Sequence, residues 1–317
     1  MKLKTDLTFR CSKALDFLSQ MTRPDGAFIP SIINGAPQKG ETSIPVRLQT
    51  ISFLYSTAKI FEHKNYLKNI ADAALNRLES QCFKKGDAYC LINNGESVGF
   101  WNAMMSIIYF KKGDKDKSRA FANSLLECIK EDEIICHYPP GTTQEILEGK
   151  ARSPYGVFIT ALLQNDIATE KSQQVGDHIT KTGKYDYLDL WGLKQLYTIY
   201  FVTPKYKNHA AHFLNVLNRV SIDSMSSLYA GAIMQANLAW YEHLPNFQGY
   251  QEDRISAILK RQMDCQDQEK YQGGFTNTPD GNEIRPEYIV HNVIAMIEYL
   301  LIVENWKWDG ADLSIIA

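Results

Sequence analysis

The sequence is organised as a recurring cycle of helices, and this cycle constrains the fold more than any other feature. An apolar helical run is followed by a more polar helical run and then by a loop with glycine, with a period of about 45–55 residues. Such units bury their apolar faces by stacking on one another. The 317 residues therefore predict an all-α fold, an (α/α)6 toroid of about six helix pairs. A single domain over residues 1–317 is expected, with short β-hairpins in the loops.

The predicted helices fall into two classes. Inner helices, which would line the centre of the toroid, are expected over residues 48–55, 100–110, 155–163, 187–200, 228–240 and 288–303. Their outer partners are expected over residues 7–21, 66–78, 121–129, part of 166–182, 209–220 and 255–263. A Pro-Asp-Gly turn at 24–26 and a small hairpin over 86–95 complete the prediction.

Bulk properties exclude several classes of partner. The formal net charge of −2 gives no general attraction to nucleic acid or to anionic membranes. No apolar run approaches the roughly 18 residues that a membrane-spanning helix needs. The cysteines are scattered, which suits free thiols in a reducing compartment, and no secretory signal is visible. We therefore expect a cytoplasmic protein without nucleic-acid or membrane partners, and we predict no cofactor and no metal.

Two predicted helices resemble those of a known group of proteins. The segment Asp189-Leu190-Trp191-Gly192-Leu193-Lys194-Gln195-Leu196-Tyr197 and the helix over 206–220 resemble the repeated helices of six-hairpin glycosidase-like toroids. These include N-acylglucosamine epimerases, unsaturated glucuronyl hydrolases and uronate-epimerase-like polysaccharide biosynthesis proteins. The resemblance implies a protein that hydrolyses, eliminates or epimerises at a sugar or uronic acid, with a small-molecule or oligosaccharide substrate.

Other toroids supply alternatives. Arg261-Gln262-Met263 followed by Gly273-Gly274-Phe275 is similar to the repeat of terpenoid cyclases and prenyltransferase β-subunits, but their Asp-x-Asp-Asp and Asp-Gly-Cys-Tyr motifs are absent. Cys136-His137, with Cys90 as a further thiolate, resembles the zinc pair of lanthionine cyclases without the glycine that follows it there. An isoprenoid-handling toroid and a non-catalytic scaffold that binds a protein or glycan therefore stay as alternatives.

Candidate catalytic residues lie at the starts of inner helices, because these starts converge at the mouth of a toroid. Asp189 and Glu287 are the predicted acid pair, since glycoside chemistry typically uses two carboxylates. Asp189, like Asp186, is also suited to capping its helix. His291 lies four residues after Glu287 on the same helix face and is predicted as an acid/base group, or alternatively as a buried core histidine.

Candidate binding residues surround this pair. Arg285 and Arg152 are suited to clamp a carboxylate or phosphate, or to form ordinary ion pairs. Aromatic rings offer apolar faces for sugar stacking, and we expect at most two of the four at helix starts to do so, the rest being core. These four are Trp101, Tyr155, Trp191 and Tyr229. Glu145 and Glu148, in the long loop after Tyr138-Pro139-Pro140-Gly141, are reserve acids.

Overall fold

The computed structural model describes most of the chain. The described residues are 2–61, 64–93, 97–126, 129–130, 133–134, 137–138, 155–167, 170, 211–212, 214–215, 218–219, 221–241, 243–263 and 273–306. The helices within them are α1 Lys2–Gln20, α2 Ile44–Ile60, α3 Tyr66–Glu79, α4 Gly99–Lys112, α5 Lys115–Leu125, α6 Tyr155–Gln164, α7 Ser227–Ala239, α8 Gln251–Leu259 and α9 Pro286–Ile302.

Strands are short and lie in the connections. They are β1 Ile32–Ile33, β2 Ala36–Pro37, β3 Cys82–Lys85, β4 Ala88–Leu91, β5 Ser97–Val98, β6 Ile129–Lys130, β7 Glu133–Ile134, β8 His137–Tyr138 and β9 Glu283–Ile284. All pairings are antiparallel: β2-β1-β9, β3-β4, β5-β8 and β6-β7. Two short 3-10 helices, Ile222–Ser224 and Pro245–Tyr250, precede α7 and α8.

The predicted helices that fall within the described residues agree with the structure in order and type. Five of the six predicted inner helices are found as α2, α4, α6, α7 and α9. The hairpin predicted over 86–95 lies earlier in the chain: it consists of β3 and β4 with its turn at Gly86 and Asp87, so only β4 falls within the predicted range. The outer helix predicted to run to Ile129 ends earlier, at Leu125, and Ile129 belongs to a strand. The helix predicted over 187–200 and most of the partner within 166–182 lie outside the described residues.

The chain divides into two compact units. The first comprises Met1–Ala74 and Ala210–Ala317, and the second comprises Leu75–His209. The expectation of a single domain stays a prediction. None of the helices described is long and apolar enough to cross a membrane.

Helix α9 forms the core of the first unit, where it packs against α1, α2 and α7. Its closest neighbour is α7, and Gly231 makes this approach possible: a Cβ there would lie 2.7 Å from the carbonyl carbon of His291. The buried Asn292 amide donates to Ser227 Oγ at 2.8 Å and to Tyr288 O at 2.6 Å. Backbone proximity and this buried amide together fix the register between the two helices.

Backbone hydrogen bonds hold the starts of three inner helices together in the first unit. Strand β9 leads directly into α9 and pairs with β1, in the connection that leads into α2. On its other side, Glu283 O accepts from Asn277 N at 3.0 Å, and Asn277 O accepts from Ser227 N, the first residue of α7, at 2.7 Å. The starts of α2, α7 and α9 therefore lie at one end of this unit.

Two loops of the first unit use glycine in the same way. Gly26 and Gly273 have φ values of +82° and +98°, a conformation that favours glycine. A Cβ built on Gly26 would lie 2.6 Å from the carbonyl carbon of Ala73. A Cβ built on Gly273 would lie 2.4 Å from the carbonyl oxygen of Lys13. Each loop is closed by a β-bridge, to Phe28 in one case and to Phe275 in the other. The Gly273-Gly274-Phe275 segment therefore has a structural role, as does Gly26-Ala27-Phe28.

In the second unit, α4 packs against α5 and α6. The buried Asn102 amide donates to Ser97 Oγ at 3.0 Å, and its oxygen accepts from Leu91 N at 2.8 Å. At the other end of α4, Glu79 accepts hydrogen bonds from Tyr109 and from Lys117, the latter at 2.7 Å. Asn102 therefore fixes the entry to α4 by two hydrogen bonds within the fold.

Replacing Gly231 with alanine tests the α7–α9 contact. The added methyl group has no room beside the His291 backbone, so we expect a loss of about 1–3 kcal/mol in the free energy of unfolding. Denaturant unfolding followed by far-UV circular dichroism measures this loss. Gly249→Ala is the control, because a Cβ there meets no atom within 4 Å, and a change below about 0.5 kcal/mol is expected. Equal stability of the two variants would contradict the contact.

Candidate functional site

A cluster of charged side chains lies at the start of α9. Arg285 Nε donates to Glu283 Oε1 at 2.9 Å, and its Nη2 lies 2.8 Å from the same oxygen. Arg285 Nη1 lies 3.6 Å from Glu287 Oε1. One guanidinium therefore bridges two carboxylates, and all three side chains belong to the first unit.

Local structure explains this grouping. Glu283 and Arg285 are two residues apart in extended backbone, where alternate side chains point to the same side. Arg285 is the residue that caps α9, and Pro286 fits the first helical position because it has no N–H to leave unpaired. Glu287 then falls in the first helical turn, next to the side chain of Arg285.

Glu287 has an environment that favours its protonated form. Its side chain is only 14% exposed, and this burial raises the pKa of Glu287 above the ordinary value of 4.5, although Arg285 opposes the shift. A carboxyl group with a raised pKa keeps its proton at higher pH than a solvated one. It is therefore suited to donate that proton in a reaction.

Aromatic side chains lie beside the cluster and at a neighbouring helix start. The guanidinium of Arg285 stacks over the ring of Tyr288 at 5.8 Å, and the Tyr288 hydroxyl lies 3.5 Å from Glu283 Oε2. Burial raises the pKa of Tyr288 to about 12, so this phenol stays protonated near neutral pH. Tyr229, in the first turn of α7, is 45% exposed and presents its ring to solvent.

His291 lies one turn beyond Glu287 and is buried, with 1% of its surface exposed. Its Nδ1 is 3.5 Å from Nε2 of Gln235 on α7, and the same amide nitrogen donates to the backbone oxygen of His291 at 2.9 Å. These contacts favour the alternative of a packed core histidine. Its acid/base role stays a prediction.

The remaining predicted residues are less fully described. Trp101, in the first turn of α4 in the second unit, is partly exposed, and Tyr155 begins α6. Residues outside the described part of the chain are Arg152, Asp189 and Trp191, with the reserve acids Glu145 and Glu148. Across the described residues, no three His, Cys, Asp or Glu side chains group into a metal site. Cys136 of the zinc alternative also lies outside them.

Sequence reasoning missed two members of the cluster, Glu283 and Tyr288. The alternation of charge in Glu283-x-Arg285-x-Glu287 is a usable signal, because it spans an extended segment and the following helix start. The pairing of β9 with β1 joins residues about 250 positions apart, so no local sequence pattern predicts it. Tyr288 follows Glu287 directly, and in the sequence prediction it is only the first residue of the helix over 288–303.

Replacing Glu287 with glutamine tests the raised pKa by its effect on stability. The folded carboxyl binds its proton more tightly than the unfolded one, so the wild type loses stability as pH rises above 4.5, the ordinary value. The amide cannot ionise and escapes this loss. We expect the unfolding temperature of Glu287→Gln, minus that of the wild type, to increase between about pH 4 and about pH 7. A difference that decreases over this range would contradict the environment described.

Comparison with known proteins identifies the fold. The sequence matches no protein-family model and no curated protein. Solved structures do match over nearly the whole chain. A D-mannose isomerase has a TM-score of 0.70 at 10% identity, covering 95% of this chain and 98% of its own. A cellobiose 2-epimerase from Bacillus thermoamylovorans has a TM-score of 0.68 at 9% identity, covering 94% and 99%.

Glycoside hydrolases have the same architecture. A family 76 α-mannanase from Bacteroides thetaiotaomicron matches with a TM-score of 0.64 at 9% identity, covering 94% of this chain and 96% of its own. At these identities the likeness concerns the fold alone. The prediction from the sequence is confirmed in this respect: the chain has the (α/α)6 toroid fold of six-hairpin glycosidase-like proteins.

Proposed function

We propose that this protein is a glycan-active enzyme, a hydrolase, lyase or epimerase that acts on a sugar at the start of α9. The observation that carries the proposal is the Glu287 carboxyl, which is held in a mostly buried position at a helix start and has a raised pKa. Carboxyl groups whose pKa is shifted by burial and by a specific charged partner are candidates for catalytic acids. The structural neighbours, which include isomerases, epimerases and a mannanase, support the same class of chemistry.

In this proposal Glu287 donates a proton to a sugar oxygen. Asp189, at the predicted start of another inner helix, is the proposed second carboxylate, which activates water or stabilises positive charge on the sugar ring. His291, one turn further along α9, is the proposed third acid/base group. The Gln235 amide, 3.5 Å from its ring, fixes the orientation of the imidazole.

Charge at the helix starts favours a neutral sugar over a uronic acid. Arg285 already bridges Glu283 and Glu287, and Arg47, near the start of α2, lies 3.3 Å from Glu41. These two arginines therefore meet three carboxylates, and neither is an uncompensated cation for a substrate carboxylate. The proposed ligand contacts are hydrogen bonds from sugar hydroxyl groups to these acids, with a ring stacked on Tyr229. Trp101, Tyr155, Trp191 and Arg152 stay proposed binding residues.

The ion cluster also weighs against the isoprenoid alternative. An apolar substrate would have to bury against Arg285 and two carboxylates without satisfying them, which costs free energy. The scaffold alternative predicts sugar binding without turnover, and the following experiment distinguishes it.

A substrate panel with variants tests the proposal. Neutral mono- and oligosaccharides and the matching uronates are incubated with the wild type, Glu287→Gln and Asp189→Asn, and products are followed by NMR. We expect turnover of a neutral sugar, little of the uronate, and a loss of about 10²–10⁴-fold in kcat for each variant.

Glu252→Gln is the matched control, because Glu252 is an exposed acid on α8, and we expect its kcat to equal that of the wild type. Full activity of Glu287→Gln would remove Glu287 from the mechanism. Binding of a sugar without turnover by the wild type would favour the scaffold.

The pH profile of the reaction gives a second test. Activity should fall as pH rises through the pKa of Glu287, because the acid must be protonated to act. Arg285 lowers that pKa, so Arg285→Gln should move this limb of the kcat profile to higher pH. Arg219→Gln, which changes an exposed arginine, should leave the limb in place. An unmoved limb in Arg285→Gln would contradict the assignment of Glu287.

A further inference from the structure

A buried arginine lies at the end of the first unit opposite the helix starts. Arg254, near the start of α8, is 5% exposed, and it lies beside the C-terminal part of α7. It belongs to none of the contacts of the proposed sugar site. Arginine is rarely buried to this degree without a paired acid.

The partners of Arg254 among the described residues are neutral. Its Nη2 donates to Asn218 Oδ1, and Asn218 Nδ2 donates in turn to Asn237 Oδ1 at 3.1 Å. The ring of Tyr250 lies 5.7 Å from the guanidinium carbon. Within the described part of the chain, Nη1 is buried without a hydrogen-bond partner, and no carboxylate forms an ion pair with Arg254. The adjacent acids Glu252 and Asp253 are exposed.

Burial without a counter-charge is energetically unfavourable. Desolvation lowers the pKa of Arg254 to about 10, although Tyr250 opposes the shift. The effective cost of burying such an ion is several kcal/mol unless an opposite charge compensates it. A second deeply buried arginine of this unit, Arg261, has backbone acceptors for both of its Nη groups: Nη2 donates to Ile222 O at 2.6 Å and Nη1 donates to Ala257 O at 2.7 Å, although its Nε is buried without a partner among the described residues. Among the residues that the structure describes, the Nη1 group of Arg254 has no equivalent acceptor.

We propose that Arg254 is the centre of a binding site for a small inorganic anion, enclosed by Asn218, Tyr250 and the end of α7. The anion accepts hydrogen bonds from Nη1 and neutralises the guanidinium. Because Arg254 is only 5% exposed, we expect the ligand to be a halide or a small oxyanion and not a larger anion such as a sugar acid. Because the bound anion stabilises only the folded chain, its concentration controls the stability of the α7–α8 pair.

Thermal unfolding in defined salts tests this site. The reference salt is sodium gluconate. In one series it is replaced stepwise by sodium chloride, and in a second series by sodium phosphate, at constant ionic strength. We expect one of the two anions to raise the unfolding temperature of the wild type saturably, by about 2–4 °C. Arg254→Met should lose this response. It should also unfold at or above the wild-type temperature in gluconate, because an uncompensated buried charge has been removed.

Arg219→Met is the matched control, because it removes an exposed arginine next to Asn218, and it should keep the full response. Chloride NMR line broadening and phosphate titration calorimetry on the wild-type protein give a readout that does not depend on the folding of a variant. A response to chloride alone identifies a halide site, and a response to phosphate alone identifies an oxyanion site. Equal responses of the wild type and Arg254→Met, or no binding of either anion, would overturn the proposal.

Discussion

The close approach of α7 to α9 is the contact on which the rest of the first unit depends. Gly231 lets the backbones meet at His291, and the Asn292 amide then reaches the first residue of α7. A larger side chain at Gly231 would separate the helices and break these hydrogen bonds together. The proposed site begins one turn away on α9, so its geometry follows from a packing requirement and not from the site residues alone.

The electrostatics of the proposed site follow from the packing of the helices around α9. Glu287 is buried because α9 is surrounded by α1, α2 and α7, and burial opposes ionisation of a carboxyl group. Arg285 and Glu283 are placed by β9, which belongs to a different structural element. Helix packing therefore raises the pKa of Glu287 by burying its side chain, whereas Arg285, which follows β9, lowers this pKa. A site divided in this way can adjust its pH dependence by changes at the strand without repacking the helices.

The sequence predicts the helices well because their signals are local. Apolar spacing places α9, predicted over 288–303, within two residues of its observed bounds, Pro286–Ile302. Features that depend on distant pairing were not predicted. Glu283 joins the cluster through the β1–β9 pairing, and Asn102 has a structural role because its amide reaches β4 and β5. Burial of Arg254 likewise depends on the neighbouring helix, and its own segment gives no sign of it. Asp189 lies outside the described residues, and its assignment depends on the sequence alone.

The two glycine loops have a consequence for how such a chain can change over time. In each, the glycine is fixed against an outer helix, at Ala73 in one case and at Lys13 in the other. The chain between the preceding methionine and this glycine differs in length, from Met21 to Gly26 in the first loop and from Met263 to Gly273 in the second. The anchoring point is therefore independent of the number of residues that lead to it. Insertions and deletions can therefore accumulate in that interval while the helices keep their packing.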